Sequence, residues 1–92
     1  MGLLAIEDII SKLPDGWTYD QDANAIRREF KLGNFLDAIA FMNMIAPLAE
    51  IQDHHPDMFL HSYNKVKITL SSHDKGGVTE RDIKLAQEIN TL

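Results

Sequence analysis

A two-layer α+β sandwich in the order α-β-β-α-β-β-α is the architecture that this sequence predicts, and three observations lead to it. Two stretches alternate apolar and polar residues as half-buried strands do, and each lies beside a second short aromatic or apolar run, so the chain carries two hairpins. Three other stretches repeat apolar residues at helical spacing. No low-complexity tract or long linker interrupts the 92 residues, so 1–92 is expected to form one domain. Hairpins with one dry face need a cover, and helices with one dry side supply it. A four-stranded antiparallel sheet with its helices on one face follows.

Leu3, Ile6, Ile9, Ile10 and Leu13 recur at helical spacing and Pro14 stops the run, which predicts a short amphipathic helix over 3–13. Trp17 to Tyr19 reads as a short aromatic strand. A polar turn, Asp20-Gln21-Asp22-Ala23-Asn24, separates it from 25–32, where Ile26, Phe30 and Leu32 share one face with Arg28. Asn34 with Asp37 three residues on has the pattern of a capping box and opens a long helix. Phe35, Leu36, Ile39, Phe41, Met42, Met44, Ile45, Leu48 and Ile51 populate nearly every direction of that helix, where one stripe would suffice for packing on a sheet. The surplus predicts that this second helix packs on its own sheet and also against another subunit. Pro47 inside it removes a backbone hydrogen bond and crowds the carbonyl of Asn43, so a kink is expected.

The second hairpin is read over 58–63 and 65–71, with Val66, Ile68 and Leu70 alternating with Lys65, Lys67, Thr69 and Ser71. Tyr63-Asn64 is its turn, in which Asn tolerates the left-handed conformation. Lys65, Lys67 and Arg28 are expected on a solvated sheet face. After Gly76-Gly77, Thr79 and Asp82 offer another capping box, before a final helix carrying Ile83, Ala86 and Ile89 inward.

Size and composition narrow the function. A chain this short buries roughly 60–65% of the surface its unfolded form exposes, so its stability margin is thin. With no cysteine, disulfides and thiolate metal sites are excluded, and self-association becomes the expected remedy. The absence of cysteine fits a reducing compartment, and a cytoplasmic location is expected. No basic segment leads into an apolar stretch at the N-terminus and no run of about 18 apolar residues occurs, so neither secretion nor a membrane span is expected. Met1-Gly2 begins like a myristoylation site, but Ile6 stands where Ser or Thr is required. A net charge of −5 argues against direct contact with nucleic acid, leaving a small molecule or a protein as partner.

All four histidines, His54, His55, His61 and His73, fall within one twenty-residue window. Histidine is the side chain that exchanges protons near neutral pH, so the cluster points to acid/base chemistry. Glu50 and His54 are four residues apart and are expected to share a face at the end of the second helix, with His55 pointing elsewhere and Pro56 ending the helix. His73 follows the last strand, and Asp82 is placed to orient it across the Gly76-Gly77 loop. Rings that differ in protonation can eliminate water from a carbinolamine: one protonates the leaving hydroxyl and another takes the adjacent N–H proton. Neither metal nor redox cofactor is required.

The string Glu50-Ile51-Gln52-Asp53-His54-His55-Pro56, the strand Tyr63-Asn64-Lys65-Val66-Lys67-Ile68-Thr69-Leu70, then His73 and Thr79-Glu80-Arg81-Asp82, resembles the signature of pterin-4a-carbinolamine dehydratases. The resemblance spans nearly the whole chain and implies the same order of elements. It implies dehydration of 4a-hydroxytetrahydropterin to quinonoid dihydropterin, a step in recycling the cofactor of aromatic amino acid hydroxylases, with no cofactor of its own. It also implies His54, His55 and His73 as the catalytic histidines and Glu50 and Asp82 as supporting carboxylates; Asp53, Pro56 and Phe59 are expected to contact the substrate. Members form homodimers and homotetramers, and the mammalian one is also a dimerization cofactor of a homeodomain transcription factor, so the resemblance adds a protein partner and a nuclear location as alternatives. Met58 stands where many members have Trp, the stretch from Pro56 to Tyr63 is one residue longer than in the mammalian form, and Phe59 is the aromatic residue available as a replacement wall.

Plainer roles exist for the same residues. A His-His-Pro corner alone is an ordinary helix ending, and Asp82 serves the Thr79 cap whether or not it also serves a histidine. A zinc site from Glu50, His54 and His73 is set aside, because adjacent histidines are poor joint ligands and no structural-site spacing occurs. His61 is assigned no role. The second helix offers a different class of function, that of an interaction module in which dehydration is secondary or lost.

Overall fold

The computed structural model describes residues 2–92, and among them the elements run α1 (Ile6–Lys12), β1 (Thr18–Asp20), β2 (Ala25–Lys31), α2 (Phe35–Gln52), β3 (Asp57–His61), β4 (Lys65–Leu70) and α3 (Glu80–Ile89). The expected order is present. The four strands form one antiparallel sheet in the order β1-β2-β4-β3, so the two longest strands lie at its centre.

Strand alternation decides what each face of the sheet carries. Ile26 pairs with Leu70, Arg28 with Ile68 and Phe30 with Val66, while Met58 and Leu60 flank the same β4 residues from the other side. These residues face the helices, and Ile26, Val66, Ile68 and Leu70 are fully buried against Ile9, Phe41, Ile45, Ile83, Leu85 and Ile89. The intervening positions, including Arg27, Glu29, Lys65, Lys67, Phe59 and His61, form the open face. Arg28 is not among them, although its charge suggests it. Its guanidinium runs under the sheet to Asn90 at the end of α3, where Asn90 Oδ1 also accepts from the Trp17 indole, and it lies 4.4 Å from the Phe30 ring centre.

Several boundaries differ from the sequence reading for local reasons. Residues 3–5 lie outside the helix, with the Leu4 amide bonded to the Val78 carbonyl and Ala5 extended, so α1 begins only after Ala5. Trp17 precedes β1 and is buried in the core. In the turn from β3 to β4 it is Ser62 and Tyr63 that take positive φ, at 49° and 56°. Asn64 instead donates its side-chain amide to the Leu32 carbonyl, tying the hairpin to the end of β2.

α2 is capped by Asn34, whose Oδ1 accepts from the Asp37 amide at 2.8 Å. It runs unbroken through Pro47, which lies on its exposed side, so the carbonyl freed at Asn43 faces outward. Ala38, Phe41, Ile45 and Ala49 fill the core, while Leu36, Ile39, Met44 and Ile51 remain exposed. Its 18 residues match a membrane span in length and composition, while one side of the helix, at Ala38, Phe41 and Ile45, is packed into the core beneath the sheet.

On the open face, the His61 ring donates to Glu29 across β4 and stacks on Phe59, with ring centres 5.2 Å apart and planes at 14°. That hydrogen bond holds the Glu29 carboxyl below its ordinary value of 4.5. A lowered folded value contributes stability above the ordinary carboxylate range, and the contribution disappears as pH falls through the lowered value. An NMR titration of the Glu29 carboxyl should place its midpoint below 4.5, and His61→Ala should return it upward. An unchanged midpoint in that variant would show that His61 is not the cause.

Candidate active site

Asp57 at the start of β3 pairs with Thr69 near the end of β4, so one end of the sheet receives the chain arriving from α2 and releases the chain leaving β4. The N-terminus of α3 reaches the same place. Three segments distant in sequence therefore converge there.

The first segment is a helix ending. α2 stops at Gln52 because Asp53 takes the left-handed conformation (φ 48°, ψ 44°), and the amides of Asp53 and His54 bond back to the Glu50 and Ala49 carbonyls. That backbone costs on the order of 1 kcal/mol for a residue other than Gly, least for Asp and Asn. It also rotates the chain, so that the next two side chains leave the helix register. His54 turns inward and is 6% exposed, while the His55 side chain stays 56% exposed. The Arg81 guanidinium donates to the Asp53 carbonyl at 2.7 Å and clamps this corner to α3.

The second and third segments meet at Asp82, whose side chain is completely buried. A carboxylate accepts only, so each short contact to it identifies a donor. Oδ1 accepts from His54 Nε2 at 2.5 Å, and Oδ2 accepts from the Ser72 hydroxyl and the Thr79 amide, both at 2.9 Å. The Thr79 contact closes the capping box expected of α3. The other oxygen goes to His54, so Asp82 combines both roles. No buried side-chain nitrogen or oxygen among the described residues lacks a partner.

A cleft of about 330 Å³ opens over this network, bounded by Asp53, His54 and His55 from the corner, Ser71, His73 and Asp74 from the loop, and Arg81 from α3. His54, His55 and His73 thus border one cavity, with the first ring fixed from behind and the other two exposed.

Two expected pairings are exchanged in the structure, and two expected substrate contacts lie outside the cleft. Glu50 pairs with His55, not His54, because the left-handed residue after Gln52 breaks the i, i+4 relation on which the expected face rests. Asp82 holds His54 and makes no hydrogen bond to His73, whose side chain is exposed. Phe59 lies on the open sheet face against His61 and Lys67, and does not border the cleft. Pro56 turns the chain but is also absent from the lining. Among the described residues, no three His, Asp or Glu side chains converge as metal ligands.

Ser72, Asp74 and Arg81 were not singled out from sequence. For Ser72 a signal existed, since continuing the alternation Val66, Ile68, Leu70 by two residues places it on the dry face. Arg81 and Asp74 carry no such signal, because both depend on how a loop and a helix terminus fold together.

The family model described as pterin 4 alpha carbinolamine dehydratase matches residues 4–92. A protein of Prochlorococcus marinus, provisionally named pterin-4-alpha-carbinolamine dehydratase, is 48% identical over 87 residues, covering 95% of this chain and 87% of its own. A protein of Metallosphaera sedula with the same provisional name is 38% identical over 92 residues, covering 100% of this chain and 95% of its own. Among solved structures, a transcriptional coactivator/pterin dehydratase from Brucella melitensis superposes with a TM-score of 0.90 at 40% identity, covering 98% of this chain and 97% of that one. A pterin dehydratase-like protein identified as a RuBisCO assembly factor in the alpha-carboxysome superposes with a TM-score of 0.69, covering 83% of this chain and 87% of that one; at 21% identity this likeness is one of fold.

The two carboxylates differ in what they hold. Asp82→Ala strands three buried donors and should cost about 2–4 kcal/mol in urea unfolding. Glu50→Ala removes an exposed pair and should stay within about 0.5 kcal/mol of wild type. Equal losses in the two variants would contradict this assignment.

Proposed function

The chain belongs to the pterin 4 alpha carbinolamine dehydratase family, and from that premise we propose that it removes water from 4a-hydroxytetrahydropterin by histidine general acid/base catalysis, yielding quinonoid dihydropterin. The observation that carries this reading is the convergence of His54, His55 and His73 on one cleft, one ring buried and fixed by a buried carboxylate and two exposed to solvent, of which His55 is bonded to Glu50. In the reaction one ring donates a proton to the 4a-hydroxyl, the C4a–O bond breaks and water leaves. A second ring accepts the N5 proton, and the N5–H electron pair becomes the C4a=N5 bond. Protons balance over the turnover, and nothing is oxidised or reduced.

The remaining residues fit supporting parts. Glu50 bonded to His55 holds that exposed ring at the mouth, and Asp53, Asp74 and Arg81 supply polar groups at the rim to orient the pterin. Of the expected substrate contacts, Asp53 borders the cleft, while Pro56 and Phe59 stand outside its lining. A cytoplasmic location, with the nucleus as an alternative, belongs to the same reading.

A second reading rests on α2. Leu36, Ile39, Met44 and Ile51 lie exposed along a helix that already fills the core with its other side. A small chain gains from covering such a surface. We propose self-association as a homodimer or homotetramer through α2, and the same face would serve a protein partner if the chain acts as an interaction module. The word coactivator in the name of the Brucella protein supports that alternative.

Two measurements check these proposals. With a hydroxylase generating the carbinolamine, added protein should accelerate its decay, and His54→Ala, His55→Ala and His73→Ala should each lower turnover by about 10²–10⁴-fold; wild-type rates in all three would refute histidine catalysis. Light scattering should give a multiple of the 10.4 kDa chain, and Met44→Glu should lower that mass without unfolding the protein. A monomeric wild type would remove α2 as an interface.

A further inference from the structure

Ser72 is almost completely buried, with its hydroxyl 2.9 Å from Asp82 Oδ2 and 2.8 Å from Thr79 Oγ1. A hydroxyl has one proton to give. If it went to Thr79, two lone-pair-bearing oxygens would face each other across the 2.9 Å contact with Asp82, and the Thr79 proton would have no acceptor. The proton therefore goes to Asp82, and Ser72 accepts from Thr79. Thr79 Oγ1 in turn accepts from the Arg81 amide at 3.3 Å, one of the N–H groups left unpaired at the start of α3.

The direction of this chain is thus determined from the helix inward: Arg81 amide, Thr79 hydroxyl, Ser72 hydroxyl, Asp82 Oδ2. With Oδ2 already taking two donors, Oδ1 remains for His54 Nε2. A neutral His54 is then protonated at Nε2, and its Nδ1 carries the lone pair. The backbone of Ser72 is held as well, by a bridge in which its amide donates to the Gly77 carbonyl at 2.7 Å. His73 is the next residue, so one serine anchors both the carboxylate behind His54 and the loop that carries His73.

We infer that Ser72 is a positioning residue of the dehydratase site, fixing the Nε2–H tautomer of His54 through Asp82. The inference rests on the proposed function for its kinetic consequence, and on geometry alone for its tautomeric one. Serine, unlike alanine, contributes the second donor to Oδ2; without it the carboxylate can rotate, and neither ring orientation nor tautomer is imposed on His54.

The test combines kinetics with long-range ¹H–¹⁵N spectra of the His54 ring at a pH where it is neutral. Wild type should show protonation at Nε2. Ser72→Ala should keep the fold, lower kcat by about 10- to 100-fold with KM within about twofold, and give a mixture of tautomers. Ser72→Thr, which restores a hydroxyl, should recover both readouts. Should Ser72→Ala not fold, Ser72→Cys, of similar volume but a weak donor, takes its place with the same expectations. A wild-type ring protonated at Nδ1 overturns the inference, as does a loss of kcat with the tautomer unchanged, since that would be a structural effect alone. A wild-type protein without dehydratase turnover would refute the proposed function instead, and the tautomer would still decide the role of Ser72.

Discussion

The Asp82 carboxylate is the constraint on which the rest of this end of the molecule depends. Its burial is tolerable only because three donors reach it, and each comes from a different part of the chain: His54 after α2, Ser72 after β4 and Thr79 at the start of α3. An acceptor left without partners at such a site costs about 1–3 kcal/mol, a sizeable share of the roughly 5–15 kcal/mol by which a folded domain is stable. The three segments therefore cannot be displaced independently. Arg81 on the Asp53 carbonyl and Gln52 on Glu88 add a second set of ties between α2 and α3 on the same side.

A contrast with α2 shows how differently the two ends of the energetic problem are handled. Around Asp82, polar groups are buried and fully paired. Along α2, apolar groups are left uncovered, with Leu36 77% and Ile51 83% exposed. Both features sit on the helical layer, while the open face of the sheet is occupied by charged residues of mixed sign with Phe59 and His61 stacked among them. The cleft lies at the edge of the layered structure, next to the C-terminal end of α2. Assembly through the outer face of α2 would stiffen the helix whose ending delivers His54, which connects oligomerisation to the site without any contact across it.

The layers and element order were legible because they depend on local pattern: the alternation in β4 and the Thr79–Asp82 box each name a structure directly. The site was legible as a set of residues and not as a set of pairs. Glu50 and His54 have the right spacing for a helical pair, but one left-handed residue at Asp53 transfers that partnership to His55. Asp82 was assigned to the wrong histidine because distance along the chain favours His73, whereas the fold brings the α2 ending, 28 residues away, against α3. The place of Phe59 has a simpler reason: strand parity puts it on the face opposite the helices, outside the lining of the cleft. Such errors share a cause, namely that a backbone reversal or a parity rule decides side-chain direction, and residue type does not.

Stability alone does not account for the His54–Asp82 pair. Removing two charged or strongly polar groups from water costs several kcal/mol per ion in the interior, and apolar residues of similar volume often replace such pairs with no loss or with a gain. The pair persists here with each of its hydrogen bonds in place and with a ring that reaches the cleft from an otherwise buried position. What it supplies is orientation. An imidazole bonded through Nε2 to a fixed carboxylate has one remaining nitrogen and little freedom to turn, the condition under which proton transfer occurs at a defined atom. His55 and His73 have the opposite character, both exposed, with His55 bonded to the likewise exposed Glu50. One ring lies inside and two lie at the surface, and that asymmetry follows from where the chain reverses after Gln52.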